Sequence, residues 1–163
     1  MFRASRRQSL LLGIFLILVL VFVTTFRMGV VRGKSMEPTY EDGQIVLVRR
    51  WNWFHGPLHH NDVVLVQQER DVIIKRVYRL SGEEIDDNPI RVAMATRRND
   101  LSDYYEQKTI QTPNGPETHL YVPEGYVVII GDNLRVSEDS RLFGPVPQRN
   151  ILGRVVAAPP PPR

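Results

Sequence analysis

The chain has 163 residues, 24% of them charged, and a formal net charge of +3. It contains no cysteine, which excludes thiol nucleophiles, disulfides and zinc thiolate sites and leaves the redox compartment unread. Apart from Arg6-Arg7 near the start, the arginines are dispersed, with short clusters at Arg49-Arg50 and Arg97-Arg98, a pattern that fits anionic lipid headgroups better than a nucleic-acid partner.

The first element is SLLLGIFLILVLVFVTTF, Ser9 to Phe26, eighteen residues without a charge. As a helix it would be about 27 Å long, enough to span a bilayer. Arg3, Arg6 and Arg7 precede it, as in a cleavable signal peptide, but the run exceeds the usual ~7–15 apolar residues and no A-x-A-like site follows. A retained anchor is therefore expected. Arg27, Arg32 and Lys34 balance the charge on its other side, so charge gives only a slight preference for a cytoplasmic start.

Beyond the anchor, short Val/Ile-rich clusters among twelve prolines and eleven glycines predict strands and turns. Gln44 to Val48 follows the turn signal Glu41-Asp42-Gly43. Val63 to Gln67 opens after Asn61-Asp62, and Asp71 to Leu80 returns across Gln68-Glu69-Arg70 as a hairpin. Glu83 to Tyr121 is less legible: MATRRNDLSDYYEQK reads as a short helix or a loop, and TIQTPNGPETHLYV as a hairpin around Asn114-Gly115. Tyr126 to Ile130 is a continuous apolar run, hence a buried strand, and Ala157 to Arg163 is an extended proline-rich tail.

Three segments carry candidate chemistry: VRGKSMEPT at 31–39, VIIKRV at 72–77 and GDNLRVSEDSRLFGPVP at 131–147. Ser35 alone, near a glycine and a proline, reads as a turn serine. Lys75 alone could be a solvent-facing strand lysine, but Val72, Ile73, Ile74 and Val77 surround it. An apolar setting disfavours the ammonium form, and a lysine base must fall from about 10.4 to about 7–8 to work near neutrality. A serine hydroxyl within reach of such an amine is an activated nucleophile. His55, His59 and His60 share a loop with Trp51, Trp53 and Phe54 and are expected at the surface, with His119 elsewhere. They supply no full ligand set, so no metal and no cofactor are expected.

S-M-E-P-T at 35–39, K-R-V at 75–77 and G-D-N-x-x-x-S-x-D-S-R-x-x-G-P-V-P at 131–147 resemble the signature boxes of the type I signal peptidase family of Ser/Lys membrane proteases. N-D-V-V-L-V at 61–66 and V-P-E-G-Y at 122–126 are similar to two weaker family segments. The resemblance implies Ser35 as nucleophile, Lys75 as general base and Ser137 as the hydroxyl that orients the lysine. Asp139, Arg141 and Arg76 would brace the site, and Met36 would lie at the substrate cleft. Gly33 stands where some members carry an oxyanion-binding hydroxyl, leaving the backbone N–H of Ser35 as the first donor and the second unassigned. Leu134, Arg135 and Val136 replace a more usual polar Arg-Asp-Asn.

The implied fold is mainly β: an antiparallel β catalytic domain hung from one N-terminal transmembrane helix. Residues 1–8 would be the cytoplasmic N-terminus, 9–26 the anchor, 27–156 the extracytoplasmic domain with 83–121 as a smaller variable insertion, and 157–163 the tail. The implied activity is removal of signal peptides from exported preproteins, cutting after small residues at −1 and −3, with the substrate added as a strand to a sheet edge. A bacterial plasma membrane is expected, since no matrix-targeting extension precedes the anchor, with a mitochondrial inner membrane as the alternative. Preprotein signal peptides and the lipid bilayer are the implied partners, and no obligate protein partner is expected. The Trp51, Trp53 and Phe54 loop is either a membrane-interface contact or packing beneath a hairpin. A self-cleaving Ser/Lys protease of SOS-repressor type shares the chemistry, but the anchor and the long last box argue against it. A catalytically silent anchored β module would leave Lys75 and Ser137 without a reason.

Overall fold

The computed structural model describes residues 6–51, 56–85 and 102–158. Helix α1 is Arg6–Thr25, 20 residues with none buried, so Leu, Ile, Val and Phe side chains project on every side. At 1.5 Å per residue this is about 30 Å, with the backbone hydrogen bonds closed within the segment as a lipid environment demands. The chain then passes into strand β1, Phe26–Val30, with no intervening loop. Phe26, read from sequence as the last anchor residue, is instead paired with Arg49 of β2, Ile45–Arg50.

The remaining strands are β3 (Val63–Gln68), β4 (Asp71–Arg79), β5 (Glu106–Thr112), β6 (Gly115–Tyr121), β7 (Tyr126–Ile130), β8 (Val146–Pro147) and β9 (Ile151–Ala157). Seven of the nine strands among the described residues form one sheet in the order β1-β2-β9-β3-β4-β7-β8. Every pairing in it is antiparallel. The β3–β4 hairpin turns on only Glu69 and Arg70, because Gln68 already pairs with Asp71, and Glu69 takes φ 50° to close it.

Strand β3 is buried on both faces, which explains its uninterrupted VVLV. Val64 and Val66 point into a cluster with Val77, Val127 and Ile129, and Val63 and Leu65 into a second with Val31, Met36, Val46 and Ile74. Strand β7 does the same: Val127 and Ile129 enter the first cluster, and Val128 and Ile130 join Ile85, Tyr105 and Val122 in a third. Each fully buried aliphatic side chain contributes about 1.5–3 kcal/mol. Trp51 packs against the first cluster, while Trp53, Phe54 and His55 lie outside the described residues.

Strands β1 and β9 were not anticipated. Gly153 interrupts the β9 pattern for a physical reason: a Cβ there would lie 2.5 Å from the Arg49 carbonyl oxygen, so only glycine lets the backbones meet. Ala157, read as the start of the tail, pairs with Leu47, and residues 159–163 lie outside the described part. The 83–121 segment leaves and returns at one place. Gly82 N–H donates to Val122 O at 2.8 Å, Val122 N–H to Glu83 O at 2.9 Å and Ile85 N–H to Leu120 O at 2.7 Å. Within it, Ser102–Tyr104 is a 3-10 turn, and β5 and β6 form a separate, largely exposed ribbon. Its turn centres on Pro113-Asn114, one residue earlier than expected, because Thr112 pairs with Gly115 and donates its hydroxyl to the Gly115 carbonyl.

Candidate active site

Ser35 stands in the loop joining β1 to β2. Two hydrogen bonds close the base of that loop, Val31 N–H to Gln44 O and Gly43 N–H to Val31 O, both 2.9 Å. Met36, fully buried in the second cluster, pins its middle. Gly33 takes φ 79°, and its N–H donates to Asp42 Oδ1 at 2.8 Å. From the other side of the site, Asn133 N–H donates to the Ser35 carbonyl at 3.0 Å.

Lys75, in the middle of β4, is 4% exposed, and its Nζ donates to Ser35 Oγ at 2.9 Å. Burial pushes the ammonium pKa below its ordinary value. Arg141 acts the same way, while Asp139 and Glu138 oppose it. The fold brings one buried amine against one serine hydroxyl, forty residues apart in the chain.

Ser137 Oγ is buried beside this pair without a hydrogen-bond partner, so the expected bond to Lys75 is not formed in this geometry. Its neighbour is Gly131, a residue that sequence reasoning passed over although it opens the last box. A Cβ on Gly131 would overlap Ser137 Oγ and lie 2.6 Å from the Ser35 carbonyl oxygen. Glycine is what allows the two serine-bearing loops to meet.

Asp139 is fully buried, and its carboxylate is saturated. Oδ2 accepts from Gly131 N–H at 3.0 Å and Arg141 Nη2 at 2.9 Å, and Oδ1 accepts from Arg141 Nε at 2.8 Å and Arg141 N–H at 3.2 Å. Burial alone would raise the Asp139 pKa, but the bonds from Arg141 and Gly131, together with nearby Ser137, bring it below the usual carboxylate value. Arg141 also donates to the carbonyls of Leu134 at 3.0 Å and Ser137 at 3.3 Å. Leu134 and Val136, which replace polar residues of the pattern, are exposed, so the loop is held through its backbone.

Arg76 forms a second fork, on Asp132, with Nε to Oδ1 at 2.8 Å and Nη2 to Oδ2 at 2.6 Å. It reaches Thr39 Oγ1 at 3.4 Å and the Asn61 carbonyl at 2.9 Å, tying β4 to both flanking loops. The histidines bond elsewhere: His60 to Glu83 and the Tyr78 carbonyl, His119 to Glu84. No cluster with metal-ligating composition is present among the described residues.

Ser35 and Lys75 open onto a cleft of about 670 Å³ between β1 and the start of β4, lined also by Gly29, Val46, Leu65 and Ile74. Where β1 leaves α1, Arg27 lines the same cleft with Nε and Nη2 shielded and without a partner. The Ser35 N–H forms no hydrogen bond with another described residue.

The site thus brings a serine hydroxyl into contact with a buried amine on an antiparallel sheet, two groups of the kind that can act as a nucleophile and its base. Residues 5–158 match the family described as Signal peptidase, peptidase S26, and the chain belongs to that family. It is 32% identical over 126 residues to human mitochondrial inner membrane protease subunit 1, a match covering 76% of this chain and 63% of the relative, so the chain spans under two thirds of that protein's length. It is 28% identical over 141 residues to signal peptidase IB of Staphylococcus aureus, covering 77% of this chain and 73% of that one. The crystal structure of a signal peptidase I from Enterococcus faecalis V583 aligns with a TM-score of 0.39 at 22% identity, over 62% of this chain and 98% of that one.

Proposed function

We propose that the chain is a membrane-anchored serine endopeptidase that removes N-terminal signal peptides from exported preproteins, cutting after a small residue at −1 with a second short side chain at −3. The observation that carries this reading is the 2.9 Å contact from Lys75 Nζ to Ser35 Oγ with the lysine buried. Membership of the signal peptidase family supports the substrate class. Neutral Lys75 takes the Ser35 proton as Oγ attacks the scissile carbonyl, and the Ser35 N–H stabilises the oxyanion. Lys75 then protonates the leaving amine, and in the second half it deprotonates the water that hydrolyses the acyl-enzyme. Ser137, hydroxyl unsatisfied beside the dyad, is the positioning group that engages Lys75 once Ser35 is acylated.

The apolar α1 crosses the bilayer once with its N-terminus cytoplasmic, and the β domain stands outside, where signal peptides emerge. A bacterial plasma membrane is the proposed location, and the mitochondrial inner membrane is favoured instead by the likeness to the human relative. The test compares detergent-solubilised wild type, Ser35→Ala and Lys75→Ala on a secretory precursor. Both variants are expected to lose cleavage by at least about a thousandfold. Retention of the wild-type rate by either would remove the dyad, and an inactive wild type would favour a silent binding module.

A further inference from the structure

Arg27 is a cation without an anion. Its Nε and Nη2, the two nitrogens along one edge of the guanidinium, are shielded from water and have no hydrogen-bond partner. Arg76, Arg141 and Arg154 are each matched by an aspartate within 2.8 Å, whereas Arg27 forms no ion pair among the described residues. A second cation adds to the deficit. Arg27 stands opposite Val48 in the β1–β2 register, so Arg50, two residues further along β2, projects from the same face as its diagonal neighbour. Burial first, and then Arg50, push the Arg27 guanidinium below its ordinary pKa, yet an arginine stays charged at neutral pH. A desolvated charge beside a like one is costly, and an anion is what offsets it.

Position selects the anion. Helix α1 ends at Thr25, and Arg27 lies two residues beyond it in β1, at most about 6.5 Å of strand. With α1 across the hydrocarbon core, that depth falls within the headgroup layer, roughly 5–8 Å thick on each side. Resting on the reading of α1 as a membrane span, we propose that Arg27 and Arg50 form a binding site for a phosphate group, presented at this depth by the headgroup of an anionic phospholipid. Two adjacent guanidinium forks match phosphate oxygens, and their combined charge favours a net-negative headgroup over a zwitterionic one. Arg27 also lines the cleft that holds Ser35 and Lys75, so the bound headgroup marks the bilayer end of that cleft.

The test follows thermal unfolding of the full chain in uncharged detergent as a short-chain phosphatidylglycerol is added, with phosphatidylcholine of the same chain length and inorganic phosphate as separate arms. A ligand that binds only the folded state raises Tm with its concentration. Phosphatidylglycerol is expected to raise the Tm of wild type, and the other two to leave it nearly unchanged. In Arg27→Gln, and separately in Arg50→Gln, the apparent affinity should fall at least about tenfold, the loss of one charge-assisted hydrogen bond. Arg50 is exposed, so its variant keeps the test decisive if Arg27→Gln fails to fold. Lys108→Gln, which removes the same charge from the separate β5–β6 ribbon, should keep the wild-type response. Equal responses to the two lipids, or a wild-type response retained by both arginine variants, overturn the inference. A response to inorganic phosphate that matches the response to phosphatidylglycerol overturns the lipid as the source. The assay reads binding alone, so each of these failures leaves the proposed peptidase activity standing, and flotation of the full chain with vesicles checks the α1 anchor separately.

Discussion

An exposed lysine is charged at neutral pH almost all of the time, and Lys75 is only 4% exposed. Its folded pKa lies below the 10.5 of the free side chain, so between those two values the unfolded chain binds more protons than the folded one. The stability contributed at this position therefore rises with pH through that window and is lowest below the folded pKa. Activity should follow the neutral amine. On the acid side of the folded pKa, kcat/KM for a precursor peptide should climb about tenfold per pH unit and then level off. A profile flat from about pH 5 to about pH 10 would falsify the assignment of Lys75 as base. Gly131 makes an independent demand at the same scale. Gly131→Ala would drive a methyl into Ser137 Oγ and to 2.6 Å from the Ser35 carbonyl. Activity is expected to fall to the level of Ser35→Ala, with about 1–3 kcal/mol of stability lost in urea denaturation.

Among the elements, the loop from Gly131 to Phe143 depends on one carboxylate. Asp139 receives the Gly131 N–H, caps the helical turn Ser140–Phe143 and holds Arg141 in a two-pronged grip. Asp139→Ala would strand Arg141 and two N–H groups, so a loss of about 3–5 kcal/mol is expected in denaturant titration. The wild-type contribution should itself fade in acid. Because the carboxyl pKa is lowered from 3.8, its stabilisation is complete above the unfolded value and is lost as pH drops through the folded one. The central hairpin and β7 were legible because their apolar runs are continuous and their turns are short. Strands β1 and β9 were not, since the helical apolar run masks where β1 begins and Gly153 breaks the Ile/Val pattern of β9. The dyad was legible only through an apolar strand around a lysine and the spacing of three distant boxes. Gly131 and the Asp132 partner of Arg76 became visible once the loops were folded together, because their roles are contacts that no local pattern encodes.

For the molecule as a whole, the joint between α1 and β1 matters most. Helix ends at Thr25, pairing with β2 begins at Phe26, and the rings of Phe22 and Phe26 meet across the joint at 5.2 Å. There is no hinge. On the proposed function, with α1 fixed in a bilayer, Ser35 would stand at one height above the lipid surface, and the chain would act as a gauge that measures from the membrane to the bond it cuts. A four-residue Gly-Ser insertion between Thr25 and Phe26 should slow cleavage of a membrane-inserted precursor in proteoliposomes and leave a short soluble peptide almost unaffected. Equal effects on the two substrates would mean that height plays no part. On this view the signal peptide presents a distance as well as a sequence, and a precursor with suitable residues at the wrong depth would pass uncut.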